Sequence, residues 1–340
     1  MSNPDQLVFP IVVWGEKYLE TFTKLALPTF LASGNIPYCA SRLKTRLIII
    51  TDEDGAAFLE SAEEFKFARE TCEVEVRSEV RLPTSTVMNK YALMAAAHHS
   101  VIKELQGSHS IVGILSPDCL ISDGTLGRSL DWVVSGFSAV LAPGPRAGLQ
   151  GVMRSLRDKV VGGRLSISSA RLVSLLCENF HPISQSVFYN ARKLSTMPSC
   201  LYWSASRHSF VARYFHLHPL MVHIYPEVTF PEEHQGTVDA SLIDDAEVSL
   251  DDCYVCVDSD EVCIVEVTDE AVSHIPSKRV FFRNLFIFSW SKFWTRPRHV
   301  KAFLRYVFLF KGDDAPLDNA IKLSKRNLRL LDWLLRRGTR

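Results

Sequence analysis

The sequence predicts an α/β fold, a mostly parallel β-sheet with helices on both faces. Two observations predict it. Over residues 7–144, apolar runs alternate with stretches of helical spacing, and the apolar runs are rich in β-branched residues, as in strands covered on both faces. The chain has 340 residues and is 47% hydrophobic, which suffices for one large domain or for a domain with an appendage.

The elements follow in order. The apolar runs predict strands at 7–14, 45–52, 110–116 and 138–144, and "CEVEVRS" at 72–78 has the pattern of a further strand. Helical spacing predicts helices at 18–26, which Pro28 should kink or end, at about 53–70, at 87–105, at 124–136 and within 150–180. The helix over 87–105 has the clearest pattern, since its apolar residues step by four and three.

Parallel sheets place ligands at the carboxyl ends of their strands. The first predicted strand ends at Trp14-Gly15, the second at Thr51-Asp52, and a later one at Ser116-Pro117-Asp118. We therefore expect these three strand ends to lie near one another.

The second half of the sequence is less regular. Residues 231–277 are acidic, and "DDCYVCVDSDEVCIVEV" predicts two strands around a tight turn, a hairpin. Cys253, Cys256 and Cys263 lie there, and a zinc site is the alternative to buried core cysteines. The eight scattered cysteines and the absence of a signal-peptide pattern at the N-terminus predict free thiols and a cytoplasmic location.

Formal net charge is zero, but the charge is unevenly distributed. Residues 278–340 carry 16 Lys and Arg against 4 Asp and Glu, and their apolar residues are spaced as in amphipathic helices. Such a basic, aromatic, helical extension suits an anionic membrane surface. The alternative is that its apolar faces pack on the rest of the chain or on a second subunit. No run is long enough to span a bilayer. No RNA-binding motif accompanies the charge, so a nucleic-acid partner is not expected.

A carboxylate at a strand end with a second acid nearby suits a hard divalent cation. Asp118 and Asp123 have this arrangement, and a substrate diphosphate would supply further oxygen ligands. Such a cation neutralises charge on a departing diphosphate. The glycine-rich motifs of P-loop NTPases and dinucleotide enzymes are absent from the sequence, and no nucleophile–base pair is recognisable.

The segments "VVWGEKYLETF", "TRLIIITD", "MNKYALMAAAHHS", "ILSPDCLISDG" and "FHLHPL" follow one another in this order. Together they resemble GT-A-fold nucleotide-sugar glycosyltransferases, most closely bacterial enzymes distantly similar to family 8. The resemblance covers about residues 8–225. It implies a Rossmann-type GT-A-like sheet and transfer of a sugar from a nucleoside diphosphate donor.

In that family an Asp-x-Asp motif at a strand end binds the metal and the diphosphate, and a late histidine can complete the metal shell. The resemblance assigns Asp118 to the second acid of the motif, while Ser116 stands where the first would be. It assigns the histidine to His218, with His216 as a rival on the same strand face. The implied cofactor is Mn²⁺ or Mg²⁺, with Asp123 compensating for Ser116.

Three alternatives remain open for these assignments. Asp123 precedes Gly124 and a helix, so it also suits an N-cap. His216 and His218 would equally serve as hydrogen-bonded structural residues. A literal Asp258-x-Asp260 follows an apolar run, although its position late in the chain favours a hairpin turn.

Nucleotide-binding roles are expected for five further residues. Trp14 and Gly15 would stack on or approach a base, Thr51 and Asp52 would bond the base or ribose, and Lys90 would reach a phosphate. Each residue also has a structural alternative. Trp14 would be a core residue before a turn, Thr51 and Asp52 would form a strand-end turn, and Lys90 would be an ordinary solvated lysine.

The sequence thus predicts a catalytic domain over 1–230, an acidic β-rich segment over 231–277 and a basic helical extension over 278–340. The first hypothesis is a glycosyltransferase, peripheral on the inner face of the membrane, acting on a polysaccharide, glycolipid or other lipid-linked glycan. A nucleotidyltransferase would show a glycine-rich basic loop after the first strand, and "VVWGEKYLETF" offers one Gly and one Lys. A degenerate transferase fold serving as a binding subunit is the third hypothesis, because Ser116 replaces an acid.

Overall fold

The computed structural model describes residues 4–78, 90–231, 238–271 and 275–338. The strands are β1 (Gln6–Val12), β2 (Lys44–Ile50), β3 (Glu73–Arg77), β4 (Ser110–Gly113), β5 (Cys119–Ile121), β6 (Ala139–Ala142), β7 (Arg146–Gly148), β8 (Leu194–Ser195), β9 (Cys200–Ser204), β10 (Ser209–Tyr214), β11 (His218–Ile224), β12 (Cys253–Val255), β13 (Ile264–Thr268), β14 (Ser277–Lys278) and β15 (Phe308–Lys311).

The α-helices are α1 (Glu16–Thr21), α2 (Leu27–Phe30), α3 (Ile36–Arg42), α4 (Glu53–Ser61), α5 (Glu63–Thr71), α6 (Lys90–Glu104), α7 (Thr125–Val134), α8 (Leu149–Leu156), α9 (Ser169–Glu178), α10 (Pro182–Gln185), α11 (Val238–Asp245), α12 (Arg283–Trp294), α13 (Pro297–Arg305), α14 (Asp318–Asn327) and α15 (Arg329–Gly338). A π-helical segment, Phe22–Ala26, joins α1 to α2, and one 3-10 turn spans Leu250–Asp252.

The chain forms two compact units that interleave in sequence. The first unit comprises Met1–Ala142, Leu156–Ile167 and His218–Val255; the second comprises Pro143–Ser155, Ser168–Leu217 and Cys256–Arg340. These divisions do not follow the expected boundaries at residues 230 and 277. The basic extension lies within the second unit, together with residues from the middle of the chain.

A seven-stranded sheet forms the centre of the first unit, in the order β12-β6-β11-β4-β1-β2-β3. β1 pairs in parallel with β2 and β4, and β2 with β3. β11 runs antiparallel to β4 and β6, while β12 is parallel to β6. The predicted α/β class with a mostly parallel sheet is therefore confirmed.

The central strands are buried as their apolar runs predict. From Leu7 onward every residue of β1 is buried, and so are all four residues of β4. Gly113 explains how β1 and β4 approach: a Cβ atom there would lie 2.1 Å from Cε1 of Phe9. Because Gly113 has no side chain, the Phe9 ring can pack against the backbone of β4.

Two predicted helices differ in detail from the structure. Pro28 does not end the first helix, which widens into the π-helical segment and then continues as α2 to Phe30. A π turn shifts the hydrogen-bond pattern, so the proline, which has no N–H, is accommodated directly after it. The helix expected over 53–70 is two helices, which meet at Ala62 in an extended conformation.

The second unit contains the antiparallel sheet β15-β10-β9. The rings of Phe210 and Phe310 stack across β10 and β15 with centroids 4.4 Å apart. Apolar residues of α12, α13, α14 and α15 join those of β9 and β10 in one core cluster. The expected extension over residues 278–340 is mostly helical but contains a strand, because α13 ends at Arg305 and Phe308 begins β15.

The predicted hairpin at 253–268 was also wrong, although both strands and the intervening turn exist. β12 pairs with β6, whereas β13 pairs with β7. Each strand thus pairs with a strand from a distant part of the chain. Within the described ranges, no helix combines the length and apolar character needed to cross a bilayer.

Candidate functional site

The carboxyl ends of β1, β2 and β4 lie at one edge of the first unit's sheet. Val12 pairs with Ile50 at the ends of β1 and β2, and Val8 pairs with Val112 of β4. After β1 the chain builds β2 and β3 on one side, and it then returns to place β4 on the other side. Ligands of open α/β sheets bind where the strand order reverses in this way, so the β1/β4 edge is the candidate functional site.

Trp14 and Gly15 lie directly beyond β1 at this edge. Trp14 is half-buried and Gly15 is exposed. Gly15 has φ +80° and is the N-cap of α1, and a Cβ atom there would meet nothing within 4 Å. The chain therefore needs glycine for its backbone conformation, and the open space beside Gly15 leaves its backbone accessible to a ligand.

Thr51 and Asp52 follow β2, but their side chains have structural surroundings. Asp52 is the N-cap of α4, where its carboxylate accepts a hydrogen bond from the Gly55 amide at 2.8 Å. The Thr51 hydroxyl is buried, and a Cβ atom on Gly55 would lie 2.0 Å from it. Both side chains thus lie at the first turn of α4, and the Thr51 amide and Asp52 carbonyl are also hydrogen-bonded within the protein, to the Arg77 carbonyl and the Ala56 amide.

Asp118 lies beyond β4, in the turn that leads to β5. The Cys119 amide donates to the Ser116 carbonyl at 3.1 Å, which closes that turn. Pro117 is buried, while Ser116 and Asp118 are half-buried. The turn places the Asp118 carboxylate at the end of the strand that adjoins β1 at the sheet's reversal point.

His218 reaches the same edge from the other direction. It is the first residue of β11, which runs antiparallel to β4, so β11 begins where β4 ends. Its Nε2 lies 2.7 Å from the Ile114 carbonyl oxygen. Donation from Nε2 to that carbonyl fixes the tautomer of a neutral ring and leaves the lone pair on Nδ1, the atom that would bind a cation.

His216 does not share this position. It precedes β11, and its ring lies 4.1 Å from the ring of His299, both within the second unit. The expectation that His216 and His218 lie on the same face of one strand was wrong, because the strand begins only at His218.

Asp123 has a defined structural role. Its Oδ1 accepts from the Gly34 amide at 2.7 Å, and its Oδ2 accepts from the hydroxyls of Ser166 at 2.6 Å and Ser33 at 3.4 Å. Gly124, not Asp123, occupies the N-cap of α7. The carboxylate joins the loops around residues 34, 123 and 166.

The Asp258-x-Asp260 pair forms a structural ion-pair cluster in the second unit. Both carboxylates contact Lys311 Nζ, Asp260 at 3.1 Å. The backbone turns over residues 259–261, as the acidic sequence predicts. These carboxylates are compensated by a lysine.

The cysteines nearby are core residues. All eight cysteines of the chain are free thiols, and burial raises the pKa of the Cys256 and Cys263 thiols. Across the described ranges, no group of three or more His, Cys, Asp or Glu side chains is arranged to hold a metal ion.

Arg77 is a charged residue at this edge that the sequence reading did not single out. The Thr51 amide donates to its carbonyl, and its guanidinium donates to Glu75 at 2.7 Å and to Glu104 at 2.6 and 2.8 Å. These hydrogen bonds hold the pKa of Glu75 below its usual value. The charge of Arg77 is thus neutralised by two carboxylates, one of them from the distant helix α6. Lys90 begins α6, but its side chain lies outside the described residues.

The chemistry of this donor set fits a cation that is shared with a substrate. Mg²⁺-type ions are commonly bound by one or two carboxylates together with substrate phosphates. Asp118 and His218 provide one carboxylate and one imidazole at the sheet edge, and their fixed positions depend on the β4 turn and on the hydrogen bond to Ile114. Comparison with models of known protein families gave no match, and comparison with curated protein sequences gave none either.

Proposed function

We propose that the first unit binds a nucleoside diphosphate sugar and transfers the sugar to a glycan or lipid-linked acceptor. The observation that supports it is that Asp118 follows β4 and His218 begins β11, which runs antiparallel to β4, so both residues belong to the sheet edge where the strand order reverses. The resemblance of the sequence segments at this edge to GT-A-fold glycosyltransferases supports the same reading.

Within this proposal, Asp118 and Nδ1 of His218 would hold a divalent cation, Mn²⁺ or Mg²⁺, together with the donor's diphosphate. The cation would supply neutralisation of negative charge on the departing diphosphate. The hydrogen bond from His218 to Ile114 keeps the imidazole oriented, as partners of metal-binding histidines generally do. Asp123 is left out, because its two oxygens already accept three hydrogen bonds.

The nucleoside would lie over the ends of β1 and β2. Gly15 is exposed there, with open space beside its Cα, and the half-buried Trp14 precedes it. Residues 51 and 52 would border the base or ribose, while the Thr51 amide is bonded to the Arg77 carbonyl and the Asp52 carbonyl and carboxylate are bonded to amides of α4.

A thermal-shift screen of the full chain tests the proposal. The panel contains UDP-, GDP-, dTDP- and CMP-sugars and the nucleoside triphosphates, each with and without Mn²⁺. A ligand present at about 100 times its Kd stabilises the folded state by about 2.7 kcal/mol. We expect such stabilisation from one nucleoside diphosphate sugar, larger when Mn²⁺ is present.

Two outcomes would contradict the proposal. Stabilisation by a nucleoside triphosphate alone would favour a nucleotidyltransferase. Stabilisation by no nucleotide at all would favour a binding subunit without transfer activity. Release of the free nucleoside diphosphate on incubation with the stabilising donor separates transfer or hydrolysis from simple binding.

A further inference from the structure

The second unit exposes a row of large apolar side chains along α12 and the residues just before it. We call the set Phe281, Phe282, Leu285, Phe293 and Trp294 the aromatic surface. Phe281 is 91% exposed, Phe282 76%, Phe293 73%, Trp294 69% and Leu285 51%. Scattered exposed apolar residues are ordinary, but five within fourteen residues of chain form a patch that marks an interaction site.

These side chains are exposed although α12 itself packs on the core of the second unit. Ile287, Trp290 and Ser291 of α12 are buried, and the two apolar ones belong to the core cluster of the second unit. Phe282, Leu285 and Phe293 are spaced to lie along the opposite side of the helix. The helix therefore has one apolar side that packs on the protein and a second apolar side that faces outward.

Along the chain, the residues that flank the aromatic surface carry charge of one sign. From Ala271 to Phe310 the sequence has no Asp or Glu and contains eight Lys and Arg: Lys278, Arg279, Arg283, Lys292, Arg296, Arg298, Lys301 and Arg305. Lys278 and Arg279 line a shallow depression with Phe281 and Phe282 before α12. Lys292 and Arg296 lie at its other end and are exposed. The apolar row thus lies between two cationic ends.

We propose that the aromatic surface and its flanking cations bind an anionic lipid bilayer. A helix that lies in the membrane interface places aromatic and leucine side chains at the acyl boundary while lysines and arginines meet acidic headgroups. Lys278 Nζ lies 4.8 Å from the centroid of the Phe286 ring, so this cation is held beside the apolar row. At 1.5 Å per residue the twelve residues of α12 span about 18 Å, a length suited to lying on the surface.

A second copy of the chain suits this surface less well. A symmetric pair would place the same patch against itself, and with it Lys278, Arg279 and Lys292 against their own copies. Like charges brought together in this way oppose association. An anionic bilayer instead meets both the apolar row and the cations with complementary groups.

The proposal is independent of the sugar-transfer proposal, and vesicle binding by the full-length protein tests it. The vesicles are phosphatidylcholine alone or phosphatidylcholine with about 30% phosphatidylserine, and binding is followed by flotation at low and high salt. We expect binding to the acidic vesicles, weak binding to the neutral ones, and loss of binding at high salt.

Matched variants locate the contact. Each basic residue near an acidic surface contributes about 1 kcal/mol, so Lys278→Gln with Arg279→Gln should weaken vesicle binding about 30-fold. The control, Lys66→Gln with Lys159→Gln, removes two exposed lysines of the first unit and should have no effect. Phe281→Ser with Phe282→Ser should weaken binding at least tenfold, whereas Val161→Ser, at a valine that is 77% exposed in the first unit, should not.

Several results would overturn the proposal. They are absence of binding to acidic vesicles, equal binding to neutral vesicles, and equal effects of the test and control variants. Loss of a dimer, rather than of vesicle binding, in the Phe281→Ser/Phe282→Ser variant would assign the surface to a second copy. Binding of RNA that the same variant abolishes, without vesicle binding, would assign it to nucleic acid. An unchanged circular dichroism spectrum and melting temperature show that each variant folds.

Discussion

At the scale of single residues, the candidate site depends on few side chains with fixed positions. The Asp118 turn and the His218–Ile114 hydrogen bond orient the two groups that would contact a cation. Other residues singled out from sequence have different surroundings: Asp52 caps a helix and Asp123 joins loops. A sequence pattern cannot distinguish these carboxylates, because the hydrogen-bond partners of Asp123 come from residues 33, 34 and 166.

Gly15 offers a residue-scale test with a matched control. Gly15 and Gly136 both have positive φ, and neither has an atom within 4 Å of an added Cβ. Each Gly→Ala substitution should therefore cost about 1 kcal/mol from backbone strain alone, measured by denaturant unfolding. Only Gly15→Ala should also weaken nucleotide binding, because it adds a methyl group at the proposed site. Equal nucleotide binding by both variants would contradict the assignment of Gly15.

At the scale of elements, the local pattern predicted which segments form strands and helices but not how they pair. β1, β2, β4 and β6 were expected from apolar runs, and β3 from the segment "CEVEVRS". The π-helical segment before Pro28 was not expected. It differs from an α-helix only in its backbone hydrogen bonds, which the spacing of apolar residues does not reveal. The partners of β12 and β13 were not predictable either, since each pairs with a strand more than one hundred residues away in sequence.

The segment around α13 makes stability depend on pH. Burial, and then the neighbouring His216, Arg298 and Arg296, lower the pKa of His299 from 6.5 to about 3. The unfolded chain takes up a proton below pH 6.5 while the folded chain does not, so stability should fall as the pH drops from 6.5 toward 3. At pH 5 the loss from this residue is about 2 kcal/mol.

Denaturant unfolding at pH 7 and pH 5 measures this effect. In His299→Gln the decrease in unfolding free energy between the two pH values should shrink by about 2 kcal/mol, because Gln does not titrate. Because the two pH values are compared within the same protein, a loss of packing energy caused by the substitution cancels from the difference in unfolding free energy. A decrease as large in the variant as in the wild type would contradict the role of His299.

At the scale of the whole molecule, the chain divides into two units that the sequence did not reveal. Charge composition separated residues 278–340, but in the structure these residues form a unit with β9 and β10 from the middle of the chain. Composition reports on surface chemistry, whereas unit boundaries depend on long-range packing. The proposed donor site lies in the first unit and the aromatic surface in the second.

The two proposed activities should therefore be separable by substitution. Phe281→Ser with Phe282→Ser should remove vesicle binding and leave nucleotide-dependent stabilisation unchanged. Asp118→Asn should do the opposite. Thermal shift and vesicle flotation on both variants measure this, and loss of both activities in either folded variant would contradict the separation.

The central claim is that the Asp118 carboxylate contacts the donor's diphosphate through a cation. Titration calorimetry with the nucleoside diphosphate sugar identified in the screen, in the presence of Mn²⁺, tests it most directly. A contact to a charged group contributes about 1.5–3 kcal/mol, so Asp118→Asn should weaken binding by about 10- to 100-fold. Asp158→Asn, at an exposed aspartate of the first unit, should bind like the wild type. Equal affinities for Asp118→Asn and the wild type would contradict the account.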